Sequence, residues 1–122
     1  MSGDGGDLAP WAAYWDARYA AGGRLWGDGP SELARLAVAR LSAAAGRGLR
    51  VLDVGCGYGR DSFYLAAELG AAVLGIDPAP QAVAAARRAR RDGIEVEFAA
   101  LDPVALAASA LVAAPYAKAA GA

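Results

Sequence analysis

The residues best suited to chemistry in this sequence are a run of glycines and the acidic residues that flank it. Gly55, Gly57 and Gly59 alternate with larger residues directly after the apolar run 50–54. Glycine has no Cβ, so such a turn lets the backbone approach a ligand closely. N–H groups left exposed at the start of a following helix would favour a negative group. The turn therefore predicts a site for a phosphate or an amino-acid carboxylate.

The spacing of the glycines separates two kinds of cofactor site. In the dinucleotide fingerprint the third glycine comes five residues after the first; here Arg60 stands in that position and the glycine falls one residue earlier. Asp77 ends the next apolar run, where an acidic residue binds a ribose diol in dinucleotide sites. A nicotinamide-binding oxidoreductase domain is therefore the less favoured alternative.

Parallel βαβ units are predicted to position these residues, because strand and helix patterns alternate from residue 49 onward. The predicted elements, in chain order, are strand 50–54, helix 61–69, strand 72–76, helix 80–91 and a strand through Ile94, Val96 and Phe98. The last run alternates with glutamates, as an edge strand does. The first run does not alternate and predicts a central strand.

Two helices are predicted before this unit. The first spans 8–20, and its apolar stripe consists of Leu8, Trp11, Ala12, Trp15 and Tyr19. A glycine-rich loop around Trp26 follows, and Ser31 is then an N-cap. The residues of the second helix predicted to face inward are Leu33, Leu36, Ala37 and Leu41.

The 122-residue chain is predicted to form one domain with a thin core, since much of its 57% apolar content is alanine. Its expected parts are a disordered start (1–7), a helical cap (8–46), a βαβαβ core (47–102) and an alanine-rich tail (103–122). No fourth strand is predicted in that tail.

Composition excludes several classes of partner. A net charge of −1 provides no field to attract a polyanion, so no nucleic acid is expected. The basic cluster 87–91 complements the negative end of its helix, and a phosphate or RNA contact is the alternative. No membrane partner is expected, because no apolar run reaches about 18 residues. A single cysteine and the lack of a signal peptide predict a cytoplasmic location, and no metal is expected.

The segment Val51-Leu-Asp-Val-Gly-Cys-Gly-Tyr-Gly59, followed by Asp77, resembles the first two motifs of class I S-adenosylmethionine-dependent methyltransferases. The resemblance implies that the three glycines line the methionyl part of S-adenosyl-L-methionine and that Asp53 lies near its ammonium group. Asp77 would accept hydrogen bonds from both ribose hydroxyls. Ionised carboxylates suit a ligand that carries a sulfonium and an ammonium. The alternative is that the glycines only permit the turn and Asp77 only caps the next helix.

Further residues join the candidate site through the same resemblance. Cys56 and Pro78 adjoin the motif residues, although packing is the expected role of Cys56, because the chain has no histidine to activate it. Asp102 would bind the adenine amino group and Leu101 would touch the ring. A turn before Pro103 is the alternative for Asp102.

Residues 57–66 and 11–31 resemble the tellurite-resistance and thiopurine methyltransferase branch, whose N-terminal segment covers the cofactor. Tyr14 and Arg18 lie off the apolar stripe and are expected to reach the cofactor, whereas the stripe itself is expected to pack in the core. Arg60 either binds the cofactor or, with Asp61, begins a helix.

A complete class I fold, as the resemblance implies, has strand order 3-2-1-4-5-7-6, and this chain supplies 3-2-1. The expected architecture is a truncated, Rossmann-like α/β fold whose first strand has one open edge. That edge could support self-association, or the tail could cover it. The expected activity is methyl transfer to a small-molecule acceptor by an incomplete catalytic domain, with no identifiable base. A non-catalytic cofactor-binding or assembly module is the alternative.

Overall fold

Three parallel strands and four α-helices form the part of the chain that the computed structural model describes, residues 8–21, 27 and 29–102. The elements are α1 (Pro10–Ala20), α2 (Glu32–Leu41), a 3-10 helix (Ser42–Ala44), β1 (Arg50–Val54), α3 (Arg60–Leu69), β2 (Ala72–Asp77), α4 (Pro80–Arg88) and β3 (Val96–Ala100). The expected start 1–7, Trp26 and the tail 103–122 lie outside the described residues. Within them, no helix combines the length and apolar character needed to cross a bilayer.

The sheet has the order β1-β2-β3, which is the predicted 3-2-1 when it is counted from β3. Both pairs are parallel, with Asp53 opposite Gly75 and Gly75 opposite Phe98. Among the described residues β2 is the central strand and β1 lies at an edge, so the prediction of a central first strand is wrong for this part of the chain. Because β1 pairs on one side only, it is less buried than β2, and 52% of Val54 is exposed.

Side chains on the two faces of the sheet belong to two apolar clusters. Val73 and Phe98 pack in the larger one with side chains of α2, α3 and α4, whereas Leu74 and Ile76 belong to the smaller one. Adjacent residues of β2 separate in this way because side chains alternate along a strand. The helices that support the glycine turn therefore pack on the face that carries Val73.

Gly75 permits a close approach at the centre of this packing. A Cβ at this position would lie 2.8 Å from Cδ1 of Phe98 and 2.9 Å from Oγ of Ser62. No alanine fits there unless the phenyl ring or the first turn of α3 moves. The glycine in the middle of β2 thus sets the distance between α3 and the sheet.

The orientation of α2 differs from the prediction. Leu33, Leu36 and Leu41 were expected to face inward, but 75%, 50% and 38% of these residues are exposed. Ala34 is buried instead, and Ala37 and Val38 pack against the larger cluster. Small side chains let α2 lie close to α3, and hydrogen bonds from Ser31 to Asp61 fix the start of α2 in this rotation.

Ser31 joins α2 to α3 and caps α2. Its Oγ accepts a hydrogen bond from Ala34 N at 3.1 Å, which confirms the predicted N-cap, and donates to Asp61 Oδ2 at 2.6 Å. Ser31→Ala removes both bonds, so we expect it to lower the free energy of unfolding by about 1–2 kcal/mol in denaturant titrations. Ser42→Ala is the matched control, since its exposed Oγ makes only a 3.4 Å bond to Ala39 O. Equal losses in the two variants would contradict the assignment.

Arginines from α4 and from the residues after it contact β3. α4 ends at Arg88 rather than at the predicted Arg91, because Ala89 N and Arg90 N donate to Ala86 O and Arg87 O in a tightened final turn. Arg87 Nη2 donates to Phe98 O at 2.7 Å, and Arg90 forms a 3.2 Å ion pair with Glu97. Two members of the basic cluster thus contact β3, which is the predicted edge strand.

Candidate functional site

A cavity of about 410 Å³ lies between α1 and the carboxyl ends of β1 and β2. Because the strands are parallel, the turn after β1 and the last residue of β2 meet at this edge of the sheet. The volume is within the range of small-molecule pockets. Six residues of the predicted site line the cavity: Gly55, Cys56, Gly57, Arg60, Asp77 and Pro78.

Aromatic residues that were not predicted to contact a ligand line the opposite side. Trp11, Trp15 and Tyr19 of α1 form this aromatic wall, and Tyr58 of the glycine turn also contributes. The stripe on α1 was expected to pack in the core, yet 53% of Trp11 is exposed and Ala12 is the buried residue of the helix. Helical periodicity identifies the apolar face of a helix, but a core and an apolar cavity satisfy that face equally well. The abundance of tryptophan and tyrosine in 11–19 was the available signal.

Tyr14 and Arg18, which were expected to reach the cofactor, are outside the set of lining residues. Arg18 Nη1 donates to Tyr14 Oη at 3.0 Å, and the guanidinium lies 5.7 Å from the centre of the Tyr14 ring. This exposed pair follows from their i, i+4 spacing on α1. In this structure the two side chains contact each other at the surface and do not line the cavity.

Asp77 faces the glycine turn directly. Its Oδ2 accepts a hydrogen bond from Gly57 N and its Oδ1 accepts one from Ala79 N, both at 2.9 Å. The side chain is buried, with 7% of the residue exposed. A carboxylate has about four lone-pair positions, so each oxygen can accept a further bond from a ligand. Ala79 is the N-cap residue of α4 and no side chain caps that helix, so the alternative that Asp77 only caps it is wrong, and the ligand role stays a prediction.

Backbone amides of the turn are used within the protein. Gly55 N and Cys56 N donate to Ile76 O at 2.8 and 2.9 Å, and Gly59 N donates to Cys56 O at 2.9 Å. Gly57 N is bound to Asp77, so these four amides of the turn are engaged within the protein. At these positions the turn contributes its shape to the cavity rather than hydrogen-bond donors, and the anion site expected at the start of the following helix stays a prediction.

The three motif glycines have different surroundings. A Cβ on Gly55, whose φ is +75°, would meet nothing within 4 Å, so the backbone there faces open space. A Cβ on Gly57 would lie 2.7 Å from Tyr19 Oη, and one on Gly59 would lie 2.9 Å from both Phe63 and Phe98. Gly59 is outside the lining set, and its missing Cβ serves the packing of α3 on the sheet.

Asp53 lies near the cavity but does not line it. Ser62 Oγ donates to its Oδ2 at 2.6 Å. Burial raises the pKa of the Asp53 carboxyl, the hydrogen bond from Ser62 opposes that rise, and the charges of Asp61 and Asp77 add to it. A positive ligand group placed beside Asp53 would relieve this unfavourable environment.

Cys56 is a buried thiol within the lining of the cavity. Burial raises its pKa far above the ordinary value, and the nearby carboxylates Asp77 and Asp53 raise it further. The thiol is therefore protonated at neutral pH and is a poor nucleophile. This environment agrees with the packing role that the sequence favoured.

The residues expected at the adenine lie at the end of β3, outside the lining set. Leu101 N donates to Asp77 O at 3.1 Å and extends the pairing of β2 with β3. Its side chain packs against the smaller apolar cluster. Asp102 is partly buried beside it. No group of three or more potential metal ligands occurs among the residues that the structure describes.

Comparison with known proteins places this geometry among methyltransferases. Residues 51–113 match the family described as "Methyltransferase domain". A ubiquinone biosynthesis O-methyltransferase of Methylocella silvestris is 48% identical over 52 residues, which are 42% of this chain and 20% of that protein. The matched region is thus one fifth of that O-methyltransferase, which is longer than this chain.

Two solved structures have the same arrangement of elements. Magnesium protoporphyrin IX methyltransferase of Synechocystis PCC 6803, with bound S-adenosylmethionine, superposes with a TM-score of 0.59 at 26% identity over 78% of this chain and 56% of that one. A methyltransferase of Geobacter sulfurreducens, in complex with S-adenosyl-L-homocysteine, has a TM-score of 0.52 at 26% identity over 80% of this chain and 38% of that one. The chain spans about half or less of their lengths.

Proposed function

The chain belongs to the methyltransferase domain family, and from this premise we propose that its cavity binds S-adenosylmethionine for methyl transfer to a small-molecule acceptor. The observation that supports this most strongly is the cavity in which the glycine turn after β1 faces the carboxylate of Asp77. The two solved relatives hold S-adenosylmethionine or its demethylated product. S-adenosylmethionine is accordingly the cofactor we assign.

The residues present suit this ligand. Open space above Gly55 admits the methionyl part against the backbone, and the remaining lone pairs of Asp77 suit the ribose hydroxyls. Asp53 and Asp77 add negative charge near the cavity, which favours a cation. The aromatic wall offers π-faces that attract a sulfonium and stack on a purine. A nicotinamide dinucleotide would instead require donors for a diphosphate, and four amides of the turn, those of Gly55, Cys56, Gly57 and Gly59, are already engaged.

When bound, the cofactor would supply an electrophilic methyl group for transfer to the acceptor. The protein therefore has to align the reacting atoms and exclude water. Gly55 and Asp77 fix the position of the cofactor, and Trp11, Trp15 and Tyr19 shield it. Cys56 stays protonated, so it does not compete for the methyl group.

The acceptor is proposed to be a small molecule and to bind beyond the three described strands. The relatives are named for ubiquinone biosynthesis and for magnesium protoporphyrin IX, both small-molecule chemistries. The region shared with these proteins contains the cofactor edge of the sheet, so we propose that 47–102 form the cofactor-binding core and 8–46 its helical cover. Self-association through the open edge of β1 and a cytoplasmic location are the accompanying proposals.

Calorimetric titration tests the function. We expect S-adenosylmethionine to bind at one site, with a dissociation constant between about 1 μM and 1 mM, and NADH not to compete. If S-adenosylmethionine does not bind, or if NADH displaces it, the proposal is contradicted. Incubation with methyl-labelled cofactor and a set of small thiols and phenols then tests transfer. Binding without transfer to any acceptor would support the non-catalytic module instead.

The raised pKa of Asp53 gives the binding a pH dependence. The ammonium group of the cofactor favours the ionised carboxylate, so we expect affinity to fall about three- to tenfold as the pH is lowered from about 7 toward the ordinary carboxyl value of about 3.9. The stability of the folded protein changes in the opposite direction. Because the pKa of Asp53 is higher in the folded than in the unfolded state, its contribution to stability is present below the unfolded pKa and is lost as the pH rises through the folded pKa.

Asp53→Asn is the matched control for this effect. It cannot ionise, so its affinity is expected to be lower near pH 7 and nearly constant down to about pH 5. Titrations of both proteins at several pH values measure the difference. An unchanged pH profile in Asp53→Asn would show that another group controls binding.

A further inference from the structure

Four hydrogen bonds connect Tyr58, Arg60 and Asp61 to Gly27, Gly29 and Ser31, three described residues of the connection between α1 and α2. We infer that Tyr58 and Asp61 are positioning residues: they fix Gly27 and Ser31, and the anchored ring of Tyr58, through its contact with Tyr19, holds the aromatic wall of α1 over the cavity. The inference rests on the proposed function for its ligand measurement.

Tyr58 makes the first connection. Its Oη donates to Gly27 O at 2.7 Å, although 31 positions separate the two residues, and only 4% of Tyr58 is exposed. The ring of Tyr58 also meets that of Tyr19 edge to face, with centroids 6.2 Å apart. One buried side chain therefore contacts both the last turn of α1 and the segment that follows it.

Asp61 and Arg60 make the other connections. Asp61 accepts from Ser31 N at 2.7 Å and from Ser31 Oγ at 2.6 Å, and Arg60 Nη1 donates to Gly29 O at 3.1 Å. Gly29 and Ser31 thus bond to the first residues of α3, and Gly27 bonds to Tyr58 in the turn before it. These described residues are held at three positions and not at one.

Contacts in the middle and at the C-terminal end of α1 explain why this attachment matters for the cavity. Near its middle, α1 is tied to α4 by a 2.8 Å bond from Gln81 N to Asp16 Oδ1, which is exposed. At its C-terminal end, Tyr19 Oη lies against Gly57, where a Cβ would be only 2.7 Å away. Tyr58 meets Tyr19 ring to ring, so a Tyr58 side chain anchored at Gly27 O also restrains the residue of α1 that lies against Gly57.

Tyr58→Phe tests the inference with the loss of one oxygen atom, and Tyr64→Phe is the matched control. Tyr64 is a partly buried tyrosine on α3, and its hydroxyl has no hydrogen bond among the described residues. In hydrogen exchange of the full chain without ligand, we expect the amides of 11–21 to exchange about three- to tenfold faster in Tyr58→Phe than in the wild type or the control.

The same variants are then titrated with S-adenosylmethionine. All three tryptophans of the chain lie at positions 11, 15 and 26, so intrinsic fluorescence reports on this part of the molecule. We expect Tyr58→Phe to dissociate from the cofactor about three- to tenfold faster, with little change in the association rate. The control is expected to behave as the wild type.

Unchanged exchange of 11–21 in a folded Tyr58→Phe overturns the inference, and so does faster exchange with unchanged cofactor dissociation. If the wild type does not bind S-adenosylmethionine while exchange still responds to Tyr58→Phe, the proposed function fails and the attachment of α1 stands. Should Tyr58→Phe not fold, Ser31→Ala, Asp61→Ala and their double variant replace it. Their effects on exchange of 11–21 are expected to be non-additive, and additive effects would overturn the inference.

Discussion

Gly75→Ala is expected to lower the free energy of unfolding by about 3 kcal/mol, because the added methyl group would enter a space already filled from two sides. Its Cβ would lie 2.8 Å from the ring of Phe98 and 2.9 Å from Oγ of Ser62. Ser62 is fully buried and bonded to Asp53, and Phe98 is 4% exposed, so neither has free space to enter. Denaturant unfolding followed by circular dichroism measures the loss.

Gly29→Ala is the control for this substitution. Gly29 has no left-handed φ, and a Cβ there would have one ordinary contact, 3.9 Å from Arg35 Nη2. We expect its effect to stay within about 0.5 kcal/mol. The double variant Gly75→Ala/Phe98→Leu should recover part of the loss, since leucine vacates the ring edge. If Gly75→Ala is as stable as the wild type, the close packing of α3 on β2 described above is wrong.

Asp77→Asn is expected to weaken binding of S-adenosylmethionine about 100-fold, since it removes both a charge and an acceptor from the cavity. One oxygen of the carboxylate would become an NH2 group that faces either Gly57 N or Ala79 N, two donors now satisfied at 2.9 Å. A buried donor then loses its partner, and the ribose hydroxyls lose a charged acceptor. Calorimetry on folded protein gives the affinity.

Glu97→Gln makes the same chemical change at a surface position. The side chain of Glu97 is 68% exposed and, among the described residues, forms an ion pair with Arg90, so we expect less than about a twofold change in affinity. The unfolding free energy of Asp77→Asn is measured alongside, with an expected loss of about 1–3 kcal/mol from the unsatisfied donor. Wild-type affinity in Asp77→Asn would remove Asp77 from the proposed cofactor site.

Much of the fold could be predicted because local patterns determine it. β1 was predicted at its observed bounds, and α3 and β2 within one residue, since strand runs and a glycine-terminated helix have distinct periods. The turn and Asp77 share the cavity because parallel strands end at one edge, which follows from topology alone. These predictions needed no knowledge of side-chain contacts.

The rest depends on contacts between elements distant in sequence. The leucines of α2 are exposed because Ala34 packs inward and Ser31 binds Asp61, which are 30 positions apart. The aromatic wall could not be distinguished from a core stripe, since the partner of an apolar face is not encoded in its period. The engagement of the turn amides by Ile76 O likewise appears only when both strands are placed.

The double engagement of Asp77 restricts how this protein could change its ligand. A substitution that suits a different cofactor at this position must also provide acceptors for two main-chain amides, one on each side of the crevice. Basic residues offer no acceptor, and small residues do not reach. Replacing Asp77 to suit a different ligand therefore requires new acceptors for Gly57 N and Ala79 N as well as new contacts to that ligand.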